Sequence, residues 1–239
     1  MEQLAGIELE HAGTLLVGQM ARPAGNGPFP AVLVMHSALG LDNHMREVAQ
    51  RLASLGYLAV ATDMYGGGVQ ITDPWAKDQP NQIVGRDPVL LRSRILAWYD
   101  TVANLPEVIT DRVAAIGYCF GGSCVLELAR NGIPARAVVS YHGVLTSTKP
   151  MQPDVYAGEV HAYCGAHDPY APLDHIEGLR AELAAAGTKH TITIFGDAAH
   201  GFTDRDYDPR GREGIAYNEL ADRMSWAGTV ELLNAVLWD

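Results

Sequence analysis

Three cysteines occur in the 239-residue chain, and one of them, Cys119, lies in a run built for a nucleophile: Gly117-Tyr118-Cys119-Phe120-Gly121-Gly122. The apolar segment RVAAIG precedes it and the helical segment SCVLELARNG follows, so Cys119 falls on a sharp turn from strand to helix. Such a turn strains the nucleophile's backbone, and the small residues Gly117 and Gly121 leave room for the neighbouring chain. Unpaired N–H groups at the helix start favour thiolate over thiol and can also hold an oxyanion. An isolated G-x-C-x-G reads equally well as a buried cysteine at an ordinary turn; the position after a strand of an alternating pattern, at its carboxyl end, favours the chemical reading. Cys124 and Cys164 lack that setting and read as packing residues.

A cysteine nucleophile needs a base and a group to orient it. In a strand-turn-helix hydrolase the chain order is nucleophile, acid, histidine. The strand VHAYC runs into Gly165-Ala166-His167-Asp168-Pro169, which puts Asp168 at a strand's carboxyl end, and TITIF runs into Gly196-Asp197-Ala198-Ala199-His200-Gly201-Phe202. Singly, Asp168 is a turn residue and His200 one of nine histidines. Together, in order and each after a strand, they read as acid and base. His167 and Asp197 remain rivals, since loop geometry is not fixed by sequence. His142 precedes the acid and breaks the order, and His36 reads as shaping the loop after its strand.

These residues need a scaffold. Short apolar runs alternate with helical segments, the sign of crossover units on a mostly parallel sheet. Strands are expected at Thr14 to Met20, Ala31 to Met35, Tyr57 to Ala61, Arg112 to Gly117, Ala137 to Tyr141, Val160 to Cys164 and Thr191 to Phe195. Most are continuous apolar runs, as for strands covered on both faces. Helices are expected from Asp42 or Asn43 to Gly56, from Pro88 through Val102, through Ile176, Leu179 and Leu183, and through Leu220, Met224, Ala227 and Val230. The stretches Met64 to Arg86 and His142 to Gly158 read as loops and as pocket walls. The fold class is α/β, an α/β-hydrolase fold with a mostly parallel sheet of about seven to eight strands and helices on both faces, in one domain over residues 1–239.

Composition excludes several functions. The net charge of -11, from 17 Lys+Arg against 28 Asp+Glu, repels a phosphate backbone or an anionic membrane. The chain begins without a leader pattern, has no apolar span of about 20 residues, and carries an odd number of cysteines, so a soluble, cytoplasmic protein with reduced thiols is expected. No motif implies a metal or cofactor; Gly66-Gly67-Gly68 lacks the context of a phosphate cradle. Nothing marks an oligomer interface.

GYCFGG, GAHDPYAP and GDAAHGF, with MHSALGLDNHMREVAQRLASLGY and ATDMYG, resemble the dienelactone hydrolase family of α/β-hydrolases from about Ala31 to the last helix. The resemblance implies Cys119 as nucleophile, Asp168 as acid, His200 as base and oxyanion donors on the backbone N–H groups of Ala38 and Phe120. It also shows two departures. Ser37 stands where the family has a glutamate that helps control the cysteine's ionisation, and Asp204 stands where it has an arginine that clamps a substrate carboxylate. A neutral ester or lactone substrate is therefore expected, with Arg86, Arg92 or Arg94 as possible second clamps. Ser37, Tyr65, Trp75, Tyr118 and Phe202 are candidate pocket residues.

The chemistry expected is acyl transfer to Cys119, followed by hydrolysis with His200 as acid and then base. A thioester is an alternative substrate. A non-catalytic scaffold that binds a small ligand or a protein partner is the alternative of a different class.

Overall fold

In the computed structural model the residues described are 4–74, 76, 79–206 and 212–238. Among these residues eight strands form one sheet: β1 (Leu4–His11), β2 (Thr14–Ala21), β3 (Phe29–Met35), β4 (Leu58–Thr62), β5 (Val108–Tyr118), β6 (Ala137–Tyr141), β7 (Glu159–Gly165) and β8 (Lys189–Phe195). Their order is β1-β2-β4-β3-β5-β6-β7-β8. The β1/β2 and β2/β4 pairs are antiparallel and every pair from β4 to β8 is parallel. Among the described residues six helices accompany them: α1 (Asn43–Ser54), α2 (Pro80–Arg86), α3 (Pro88–Ala103), α4 (Phe120–Arg130), α5 (Leu173–Ala185) and α6 (Glu219–Leu237).

The two-residue period of the strands divides the core. Ala31, Leu33 and Met35 of β3 join one apolar cluster with α3, α4 and α5, while Val32 and Val34 join a second with α1 and α6. Both faces of the sheet centre are thus dry, which is why β3 and β4 are apolar throughout their middles. Asp42 caps α1 by accepting from Met45 N at 3.0 Å, and Asp87 caps α3 by accepting from Val89 and Leu90 N.

Three features differ from the sequence expectations. Strand β1 was not anticipated: its LAGIELEH pattern buries only Ile7 and it lies at the sheet edge, joined to β2 by Ala12 and Gly13, both at positive φ as a tight hairpin turn requires. The stretch from Met64 to Arg86 is not all loop, because Pro80 at the first helical turn opens α2. In α6 the expected face is turned outward. Leu220 and Met224 are 64% and 54% exposed, whereas Ala221, Ser225 and Thr229 face the sheet. Small residues let this helix approach the strands closely; a Cβ on Gly228 would strike the Tyr163 hydroxyl. No helix among the described residues is long and apolar enough to cross a membrane.

Candidate active site

Strand β5 ends at Tyr118 and α4 begins at Phe120, so Cys119 alone makes the turn, at φ 54° and ψ -112°. That conformation is costly for a residue with a side chain and is held from both sides. Cys119 N donates to Tyr141 O at 3.0 Å, and Cys119 O accepts from Gly122 N at 2.9 Å. A Cβ at Gly117 would collide with Gly121 O, and one at Gly121 with Met35 O. The flanking glycines thus allow α4 to start against β3 and β5 with its N-terminus behind the sulfur.

The later strands deliver the partners. His200 Nε2 lies 3.1 Å from Cys119 Sγ, and His200 Nδ1 lies 2.8 Å from Asp168 Oδ2. Asp168 follows β7, and its Oδ1 accepts from Tyr170 N at 2.8 Å and Ala171 N at 3.3 Å. The backbone of His200 is fixed as well, with His200 N donating to Gly214 O and its carbonyl accepting from Ala216 N. Asp168 and His200 are buried and Cys119 is half-buried.

The electrostatics follow from this packing. Burial alone would push the Cys119 thiol up; the charge of His200, the His200 hydrogen bond and the backbone groups of Ala38 and Phe120 outweigh it and hold the thiol below its ordinary value. Burial would correspondingly lower His200, but Cys119 and Asp168 together push it up to about 10. Both shifts favour the charged thiolate–imidazolium form of the pair over the neutral one. Cys124 is pushed well above the ordinary thiol value by burial and Cys164 to about 12, so neither supplies a thiolate.

Ala38 is placed by the loop after β3. His36 Nδ1 donates to Ser37 O at 2.7 Å and its Nε2 accepts from Met64 N at 3.0 Å, tying this loop to the one after β4. His36 is fully buried and held below its ordinary pKa mainly by desolvation, as a neutral brace. His142 also lies beside the site. It sits at positive φ (39°), its ring meets His200 edge-on at 5.2 Å, and its Nε2 is 2.9 Å from Thr203 Oγ1. Desolvation and the His200 charge keep it far below its ordinary pKa. His167 and Asp197 are exposed and stand outside the cluster.

A cavity of about 540 Å³ opens over Cys119 and His200. Its walls come from α2 and the stretch before it (Pro74, Asn81, Gly85, Arg86), from α3 (Leu91, Arg92), from α4 (Phe120, Ser123, Glu127), from Val144 to Thr148, and from Tyr170. The four candidate pocket residues within the described chain do not line it. Ser37 is buried, with its hydroxyl accepting from Leu39 N. Tyr65 packs behind the cavity on His36 and Phe120, Tyr118 stacks on Tyr141, and Phe202 is enclosed by His142 and Phe195. Their aromatic bulk serves the core. Trp75 lies outside the described residues.

Two charge expectations are also corrected. Asp204 does not face this cavity: its Oδ1 accepts from Asp206 N, and it borders a separate cavity with Arg51, Asp222 and Trp226. Arg94 is buried beneath the site, donating to Met64 O, Tyr65 O and Thr14 Oγ1. Arg86 and Arg92 do reach the wall. Tyr170, Arg92 and Glu127 are the wall residues with chemistry that the sequence left unassigned or in doubt, since helical period alone does not tell which face of α3 and α4 meets a cavity.

Comparison with known proteins places these observations. The sequence pattern of the dienelactone hydrolase family matches residues 16–237. A protein of Escherichia coli (strain K12), provisionally named a carboxymethylenebutenolidase, is 30% identical over 218 residues, covering 86% of this chain and 79% of that protein. Among solved structures, one named m3DLH superposes with a TM-score of 0.91 at 35% identity, covering 98% of each chain. A dienelactone hydrolase-like promiscuous phosphotriesterase from metagenomic libraries superposes at 0.88 with 31% identity, again over 98% of each chain.

Proposed function

This chain belongs to the dienelactone hydrolase family, and we propose that it cleaves a small carboxylic ester or lactone through an acyl-enzyme on Cys119. The observation that carries this reading is the unbroken line from Cys119 Sγ through His200 to Asp168, with the Ala38 and Phe120 backbone groups converging on the same sulfur.

The thiolate attacks the carbonyl carbon, and the carbonyl oxygen becomes an oxyanion beside the N–H groups of Ala38 and Phe120. One such donor contributes about 3 kcal/mol of transition-state stabilisation. His200 rests protonated at Nε2 and gives that proton to the departing alkoxide; now neutral, it takes a proton from the water that hydrolyses the thioester. Asp168 holds Nδ1–H throughout and so fixes the tautomer. Proton transfer of this kind contributes about 10²- to 10⁴-fold.

Around the reacting carbon the wall is largely apolar, with Leu91, Phe120, Val144 and Tyr170. An uncharged reacting end fits it. The repulsion expected from Asp204 is absent, so charge elsewhere on the substrate is decided by Arg86, Arg92 and Glu127.

Hydrolysis of a short p-nitrophenyl ester series tests the reading, with Cys119→Ala and His200→Ala beside the parent chain. Turnover by the parent, its loss in Cys119→Ala, and a fall of at least 10²-fold in His200→Ala are expected. No parent turnover anywhere in the series, or full activity in Cys119→Ala, overturns it.

A further inference from the structure

An acyl group on Cys119 is a thioester. Its carbonyl is less stabilised by resonance than that of an oxygen ester, so it yields to nitrogen nucleophiles that oxygen esters resist, and an amide once formed is not returned to sulfur. The group that leaves in acylation and the nucleophile that enters in deacylation both exchange a proton with His200 Nε2, so by microscopic reversibility they share one side of the reacting carbon. Tyr170 forms the wall there. Its ring lies 4.7 Å from the His200 ring, tilted by 59°, and the residue lines the cavity while 39% exposed. Its backbone N–H, bonded to Asp168 Oδ1, anchors it beside the triad. Among the described residues His200 is the one ring that Tyr170 packs on, and no side chain engages its hydroxyl.

Leu91, Phe120 and Val144 continue this apolar wall. Farther along α4 the cavity turns polar, but Glu127 there is paired with Arg92 at 2.7 Å and with Arg130 at 3.2 Å. The volume of about 540 Å³ falls in the range that encloses a drug-sized ligand, so a small acyl group leaves most of the space for a second molecule. Two conditions define that molecule. Its nitrogen must arrive with the lone pair free; an alkylamine is an ammonium ion at neutral pH, and stripping water from a cation against an apolar wall is costly. An arylamine is neutral at that pH, because its lone pair is shared with the ring. The same ring is the second condition, since aromatic pairs hold one another in offset-stacked or edge-to-face arrangements and the outer side of Tyr170 is open to such a partner.

Resting on the ester-hydrolase reading, we propose a second activity: transfer of the acyl group from Cys119 to an arylamine seated on Tyr170, giving an N-aryl amide. The nitrogen attacks the thioester carbonyl carbon, and the oxyanion forms beside the N–H groups of Ala38 and Phe120. Neutral His200 takes a proton from the nitrogen at Nε2 as the C–N bond forms. The C–S bond then breaks, and Cys119 leaves as a thiolate beside the new imidazolium, the charged pair that the site favours. Water needs the same base and the same face, so the two nucleophiles compete for one acyl-enzyme, and Tyr170 is the residue that decides the competition.

Product partitioning tests this, with phenyl acetate as donor at neutral pH and aniline, cyclohexylamine or methoxyamine as acceptor. Each amide is measured against acetate by chromatography, above an enzyme-free blank. Both products arise from one acetyl-enzyme, so their ratio does not depend on how fast it forms or on how much of a sample is folded. Acetanilide should rise with aniline concentration and saturate, be absent with Cys119→Ala, and far exceed the amide of cyclohexylamine. Tyr170→Ala should lower the acetanilide ratio about fivefold, the loss of one aromatic pair, and Tyr170→Phe should retain it. Methoxyamine is neutral but has no ring, so its ratio should not fall in Tyr170→Ala; a merely structural disturbance of His200 would lower both. Acetate as the sole product at every aniline concentration, or an equal fall of both ratios in Tyr170→Ala, would overturn the arylamine subsite and leave the ester-hydrolase reading standing. A parent chain that neither releases phenol nor gains an acetyl group on Cys119 would sink that reading, and the transfer with it.

Discussion

At Cys119 three influences compete, and their signs can be followed. Burial opposes the thiolate, while imidazolium and backbone donors support it, and the support prevails. The thiolate fraction grows as pH rises through the thiol's pKa, so a depressed pKa moves reactivity to lower pH. The rate of iodoacetamide alkylation should therefore have its midpoint below the ordinary thiol value of about 8.5. His200→Gln removes the charge and should carry the midpoint upward; an unshifted midpoint in the parent protein would refute the ion pair. Asp168→Asn leaves His200 without its carboxylate partner, and a kcat loss on the order of 10²-fold or more is expected, since tautomer and charge both depend on it. The grouping of Cys119, Asp168 and His200 was legible because each follows an apolar run, in the order that the proposed triad needs. The wall residues were not, and the reasons are physical. Ser37, Tyr118 and Phe202 are neighbours of site residues in sequence and Tyr65 follows β4, but the turns at the strand ends send all four side chains into the core.

Helix α4 shows how one element sets several distances at once, because its start against β3 and β5 depends on two missing side chains. Gly121→Ala would drive a Cβ into the backbone of Met35 and His36, neither of which can yield as a flexible side chain does. We expect destabilisation of about 1–3 kcal/mol, a fall of roughly 3–10 °C in Tm by calorimetry, together with loss of ester turnover as Cys119 shifts. An unchanged melting curve would show that the turn is less tightly held than its contacts require. The strands that pack on both faces were readable for the same reason that α4 is confined: dry faces admit only apolar residues. Strand β1 was not, since an edge strand with a single buried residue looks like a polar segment. The inner face of α6 was misread because the large residues Leu220 and Met224 point outward, while Ala221, Ser225 and Thr229 allow close approach to β5 and β6.

Across the whole molecule, the cavity is held together by charges as well as by the two apolar clusters. Arg130, 4% exposed, links α4 to α5 through Glu182, and to the chain between β6 and β7 through Leu145 O; Glu182 in turn accepts from Met151 N. Arg130→Ala would leave Glu127 and Glu182 partly uncompensated, at a cost of about 3–5 kcal/mol in chemical unfolding. Arg130 and Met151 N outweigh the burial of Glu182 and hold its carboxyl below the ordinary 4.5. A depressed carboxyl contributes stability that is present above its unfolded value and lost as pH falls through the folded one. Denaturation midpoints should accordingly drop below about pH 4.5, less steeply in Arg130→Ala. The central claim, an acyl group carried on Cys119, is tested most directly by rapid-quench intact-protein mass spectrometry with p-nitrophenyl acetate. A single acetyl adduct that forms during turnover, maps to Cys119 and is missing from Cys119→Ala is the predicted result. Steady hydrolysis with no adduct at any quench time, or an adduct on another residue, would contradict the account.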